Sequence, residues 1–378
     1  MTKEFDAYAE EFNDLASFQG GIDDLEQNSE WMENVRSSTI RTTGIMGIEA
    51  GVVAQNHGLP PALVADTAAS TSLLASVGGE LYCVRNTAIV TLEDTAKISG
   101  VALSRVSPDN LATILNLALE VAKGRTMVLN RFGKASAFLS NNYCKMAQPE
   151  LLESVVGSLE NQFGGIAFRS GYIDHAFTKC TFALEEMQEE LTAPYIAALS
   201  KTDKAPAEMM PCVEFRTSDT GCCAATLQPY FKQKGAAPIV LCDPIKVHHK
   251  HSSGDGAEGI QLFEERSREL FPLFKKSAEK VAEMDSVMVQ HPRNALICIC
   301  KRLNLPRKYG GMVEEMLTRE LGENPCTWYD LYLYISEILT LAKQDGKTEL
   351  EMWRLSETVA RTVTLNIHAF DLAGSYAW

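Results

Sequence analysis

Three groups of residues in this 378-residue chain have the types and spacing that could do chemistry. The first is His248, His249 and His251 with Asp243, Asp255 and Cys242. Imidazole, carboxylate and thiolate are proper ligands for zinc or a similar divalent ion. His249 and His251, two residues apart, could share one side of an extended segment, with Asp255 as a third ligand. The Ser- and Gly-rich surroundings (Ser252-Ser253-Gly254) fit equally a solvated polar loop, or one that touches phosphate.

The second group is Ser218-Asp219 with Cys222 and Cys223. A nucleophile needs a base within hydrogen-bond reach and a third group to orient that base. The chain carries neither a GxSxG nucleophile elbow nor a Walker sequence. Ser218-Asp219-Thr220-Gly221 reads instead as a turn. Asp bonds its own backbone there, and Gly supplies a positive φ.

The third group is cationic. Residues 121–149 contain Lys123, Arg125, Arg131, Lys134 and Lys145 and no acid, with Phe132, Phe138 and Tyr143 interleaved. That absence stands out in a chain with 49 acids. Cations track phosphates, and aromatic faces stack on unpaired bases. A second set is Lys301, Arg302, Arg307 and Lys308 beside Tyr309. A third, Lys232, Lys234, Lys246 and Lys250, surrounds a stretch rich in strand formers. Each set alone fits a solvated surface. Three of them in one acidic chain point to an anionic partner.

The elements that must position these groups are partly readable. Residues 1–34 hold ten acids and one Lys, and Phe5, Tyr8, Phe12, Leu15 and Phe18 recur at helical spacing. The spacing predicts an acidic helical arm over 1–36, ended by Gly20-Gly21. Leu81–Val90 and Thr126–Asn130 read as strands. Between them Ser107 caps a helix that opens on Pro108 and ends before Gly124. Ser136–Ser140 is a strand before a helix opened by Pro149 and closed by Gly164-Gly165. Ile166–Tyr172 and Ala176–Leu184 are further strands, and 185–190 with 201–206 read as surface loop.

Cys212–Thr217, Cys222–Phe231 and Pro238–Cys242 form an antiparallel meander, because their connections are short. From Ala257 onward the period is helical. Pro272 marks a kink or a new start. Thr327 with Asp330, and Thr348 with Glu351, have capping-box spacing, and Gly374 closes the last helix. The expected fold is therefore α+β: an antiparallel meander with packed helices, then an all-helical C-terminal part. The expected division is an N-terminal arm (1–36), an α+β core (37–256) and a helical region (257–378).

Leu139-Ser140 with Tyr143, Pro149 to Leu152, the Ser218 to Gly221 turn, Cys242, His251 and the segment Arg354 to Gly374 occur in an order that resembles a phage- and plasmid-borne family of unknown function. The resemblance covers roughly residues 130–378. Asp243-Pro244 follows Cys242 where that family has Asn-Gly. The resemblance implies a mobile-element setting and no particular reaction. A meander followed by a long helix is also similar, at the level of fold, to ring-forming single-strand annealing proteins.

Composition narrows the classes. Net charge is −14, which disfavours indiscriminate binding to DNA or anionic lipid but leaves a local basic groove possible. The N-terminus lacks an apolar signal core, and no apolar run approaches membrane-spanning length. Ten cysteines without framework spacing read as reduced thiols in a cytoplasm.

These readings combine into one expectation. It is a phage-type protein that binds or anneals single-stranded DNA as a homo-oligomer, without nucleotide hydrolysis. Arg125, Arg131 and Lys134 would hold phosphates, Phe132 would stack on a base, and Lys301, Arg302, Arg307 and Lys308 would line an outer groove. Lys123, Lys145, Lys246 and Lys250 complete the cationic set, and no cofactor is required. The alternatives are a virion or host-defence-interacting protein, and a metal-dependent enzyme using His249, His251 and Asp255.

Overall fold

The computed structural model describes residues 2–45, 50–200, 208–233, 237–248 and 256–378. The chain opens with β1 (Ala9–Phe12) and α1 (Leu15–Gln27) rather than one long helix. Asp14 caps α1 by accepting from Ser17 N. The helix runs straight through Gly20-Gly21. A Cβ on Gly21 would lie 2.7 Å from Phe12 Cζ, so glycine here serves close packing, not termination. Phe12, Phe18, Ile22 and Leu25 are buried, so this segment is part of the body and not a free arm.

The chain continues through β2 (Ser29–Arg36), β3 (Arg41–Gly44), α2 (Ala50–His57), α3 (Pro61–Ala69), β4 (Leu73–Val77), β5 (Glu80–Val84), α4 (Ala88–Ala96), α5 (Pro108–Val121), β6 (Arg125–Arg131) and β7 (Lys134–Ser140). The strand expected to reach Val90 stops at Val84, and Ala88 is already helical. The α5 helix has its Ser107 cap and Pro108 first turn as expected. These strands form one sheet in the order β2-β6-β7-β5-β4-β3, antiparallel except for β5 beside β7. Strand alternation gives the sheet two apolar faces. Leu73, Ala75, Val84, Val128 and Phe138 pack under α4 and α5, whereas Leu74 and Cys83 pack with Val53, Leu63 and Val64 of α2 and α3.

A second sheet follows α6 (Gln148–Phe163). Its members are β8 (Ala167–Asp174), β9 (Thr178–Ala183), β10 (Met209–Thr217), β11 (Ala225–Gln233) and β12 (Ile245–Val247), with α7 (Gln188–Leu199) between β9 and β10. They run as an antiparallel meander, and β1 adds to its β8 edge. The acidic run expected to be loop thus leads into α7. The segment 238–242 contributes only the bridge Ile239–Phe231, and β12 supplies the last strand of the meander.

The remainder is largely helical: α8 (Gly256–Ser267), α9 (Leu270–Ser286), α10 (Pro292–Leu303), α11 (Arg307–Leu321), α12 (Trp328–Gln344) and α13 (Glu349–Ala360), with two-residue strands β13 (Met288–Val289) and β14 (Cys326–Thr327). Pro272 lies in the first turn of α9, where its missing N–H costs nothing. Both expected capping boxes form, at Thr327–Asp330 and Thr348–Glu351. The last helix ends at Ala360, well before Gly374. The fold is thus α+β with antiparallel sheets and a largely helical C-terminal region.

The apolar packing is continuous across residues 36 and 256. One apolar cluster joins Phe18 of α1, Phe182 of β9, Phe215 of β10, Phe274 of α9 and Tyr332 of α12. Between the two sheets lies a polar seam. Arg131 of β6 pairs with Asp219 across it, at 2.5 Å. Arg85 and Lys134 both bond Asp6, and Lys134 also bonds Asp66 of α3. His175, buried between β8 and β9, packs at a tilt against Tyr8 and edge-on to Phe132 in the same seam. No helix among the described residues is long and apolar enough to cross a membrane.

Candidate functional site

A cleft of about 1170 Å³ opens where the two sheets meet. One wall comes from the end of α4, the α5–β6 connection and the start of β6. The other comes from the Gly221–Ala224 turn, β12 and α13. Lys97, Lys123, Arg125, Lys246 and His248 reach it, against two acids, Asp94 and Glu357.

The cations differ in how they are held. Lys97 and Lys123 are exposed, and their side chains have no hydrogen-bond or ion-pair partner among the described residues. Lys97 is also the α4 C-cap at φ 58°, a left-handed conformation that glycine or asparagine would adopt at lower cost. Arg125 donates through Nη1 to Asn34 O at 3.0 Å. Directly opposite it on β2 stands Arg36. Facing residues of antiparallel strands share a face, and like charges at that distance destabilise the pair. The register thus places two cationic residues side by side at this sheet edge. Lys246 is compensated by Glu357 at 2.5 Å.

Several expected site residues lie elsewhere. Arg131 and Lys134 are buried: Arg131 is committed to Asp219 across the seam and Lys134 to Asp6 and Asp66, so neither is free for phosphate. Phe132 sits in the two-residue β6–β7 turn at φ 50°, followed by Gly133 at φ 76°. It is half-buried, packing against the core edge-on to His175, and does not line the cleft. Lys145 pairs with Glu33 at 2.6 Å and lies 5.8 Å from the Trp31 ring centre, outside the cleft lining. Lys301 donates to Ala377 O, and Lys308 pairs with Asp345. Arg302 and Arg307 are exposed on α10 and α11 and do not line the cleft.

The turn reading of 218–221 fits the geometry. Ser218 Oγ donates to Ala176 O and accepts from the backbone of Thr220 and Cys222. Gly221 has φ 76°. Burial pushes the Cys223 thiol up to about 12, which disfavours the thiolate a nucleophile needs. His249, Lys250, His251, Asp255 and Lys234 lie outside the described residues. Among the described residues no cluster of three His, Cys, Asp or Glu side chains could hold a metal ion.

The structure thus brings Lys123, Arg125 and Lys246 of the expected set into one cleft and adds Lys97 and His248, with Arg36 opposite Arg125 on β2. Lys97 and Arg36 stand outside any cationic run, so sequence gave no signal for them. Trp353 and Glu357 of α13 complete the lining. No known protein family, curated protein or solved structure matches this chain.

Proposed function

We propose that this cleft binds the phosphate backbone of single-stranded nucleic acid, and that the chain is a recombination or replication accessory of mobile-element type acting as a homo-oligomer without nucleotide hydrolysis. The observation that supports it best is the uncompensated charge at the cleft. Lys97 and Lys123 lack counter-ions among the described residues, and Arg36 faces Arg125, in a chain of net charge −14. Cations left unpaired in a concave site attract an anion, and several along one wall suit a polyanion. The half-buried Trp353 indole, which also lies against the Arg216 guanidinium, brings into the cleft lining an aromatic ring of the kind on which bases stack.

A second reading, a protein-interaction role, draws on the exposed apolar side chains Val90, Val101, Leu117 and Val121 on and around α4 and α5. Binding of fluorescent single- and double-stranded oligonucleotides, on protein sized by light scattering, separates the two. Salt-sensitive binding that prefers single strands supports the first. No binding at low salt leaves the second.

A further inference from the structure

Across the second sheet, directly opposed residues form one row: Lys179 on β9, Arg216 on β10, Thr226 on β11 and Lys246 on β12. Opposed residues of antiparallel strands share a face, so three cations line up along the sheet, one strand spacing of about 4.8 Å between Lys179 and Arg216 and two between Arg216 and Lys246. The row ends at the cleft, whose lining includes Thr226 and Lys246.

Helix α13 lies over this row in matching register. Glu349 pairs with Lys179, Trp353 covers Arg216 with 5.3 Å from its ring centre to the guanidinium carbon, and Glu357 pairs with Lys246 at 2.5 Å. Residues four apart lie on one helix face, so a single stripe of α13 answers the whole row.

The cover is an incomplete one. Arg216 is 1% exposed, yet its Nε and Nη1 have no hydrogen-bond partner among the described residues. Glu214 Oε1 lies 3.0 Å from Nε and neutralises charge without accepting that hydrogen bond. Trp353 Nε1 is likewise buried without a partner among the described residues. Buried donors left unmade are costly, so the α13 contact leaves unsatisfied what an anion could satisfy. The helix is also lightly anchored: Val359 is its one fully buried residue.

We propose that the row Lys179, Arg216 and Lys246 is a second phosphate-binding strip continuous with the cleft, and that α13 occupies it as an internal anion which a nucleic-acid strand displaces. The strip rests on the reading of the cleft as a nucleic-acid site. Displacement exchanges Glu349 and Glu357 for phosphates, and gives the two Arg216 donors oxygen acceptors. Release of the helix also frees the Trp353 ring from the guanidinium.

The test uses the full chain, a fluorescent single-stranded oligonucleotide and the double substitution Glu349→Gln/Glu357→Gln, which keeps shape and removes both competing charges. The double variant binds about three- to tenfold more tightly, as expected for loss of two partly exposed ion pairs. In the wild type, saturating oligonucleotide speeds amide hydrogen exchange across residues 349–360. Unchanged affinity in the double variant, with exchange of 349–360 unchanged or slowed, overturns the strip. If Lys97→Gln/Lys123→Gln still weakens binding in that case, the cleft reading survives alone. Binding by the double variant but not the wild type supports the strip, and binding by neither overturns both readings. Should the double variant unfold, exchange in the wild type decides the question.

Discussion

The Arg131–Asp219 pair is the most sharply testable part of the seam. Asp219 accepts from Arg131 Nη2 at 2.5 Å and from Gln148 Nε2 at 2.5 Å, and its side chain is 9% exposed. Asp219→Ala removes both bonds. Arg131, with a side chain 2% exposed, keeps only Ser29 Oγ at 2.8 Å as a side-chain partner, and its charge is left buried without a counter-ion. Breaking a buried pair from one side costs about 3–5 kcal/mol, a large share of the roughly 5–15 kcal/mol that holds a folded protein. Urea unfolding should therefore show a stability loss of that size, read as the midpoint shift multiplied by the m-value. The double substitution Arg131→Met/Asp219→Leu should recover much of it, because no charge is then stranded. A loss below about 1 kcal/mol in Asp219→Ala would refute the claim that Arg131 is a structural cation.

Two further outcomes follow from the packing. Burial, with the Arg85 charge beside it, lowers His175 to about 2, so the folded chain keeps it neutral while the unfolded chain protonates it near 6.5. The unfolded state then binds more protons between those values. Stability is full above about pH 6.5 and falls by up to about 1.4 kcal/mol per pH unit below it. His175→Gln should flatten that part of a stability-versus-pH curve, and an unchanged slope would show that His175 titrates normally. Gly21→Ala places a methyl 2.7 Å from Phe12 Cζ and 2.9 Å from Ile173 Cδ1. Overpacking of about 1–3 kcal/mol should outweigh the roughly 1 kcal/mol helix gain, and a raised melting temperature would contradict this.

Local signals carried the fold furthest. The Ser107 cap with Pro108, and the two Thr-initiated capping boxes, are set by residues within three positions of one another. The β10–β11 part of the meander was readable because its connection is short, while the segment 238–242, read as its third strand, contributes only a bridge. Non-local pairing was not readable. The parallel contact of β5 with β7 joins segments separated by two helices, and β1 meets β8 across most of the first sheet.

The site shows the same limit. Arg131 and Lys134 read as free cations because their partners are distant in sequence: 88 positions to Asp219, and 128 and 68 to Asp6 and Asp66. Lys123 and Arg125 needed only the short α5–β6 connection to reach the cleft. Lys97 and Arg36 join them through tertiary structure alone. The α13 register over the cationic row depends on four strands and a helix together, and no short motif encodes it.

The central claim is that unpaired cations of the cleft engage phosphates. It is tested most directly by the salt dependence of oligonucleotide binding in wild type and in Lys97→Gln/Lys123→Gln. Each lost contact to a single strand should reduce the slope of log affinity against log salt by about 0.7, so the double variant should be shallower by about 1.4. An equal slope in the two proteins, or no binding by the wild type at low salt, would contradict the account.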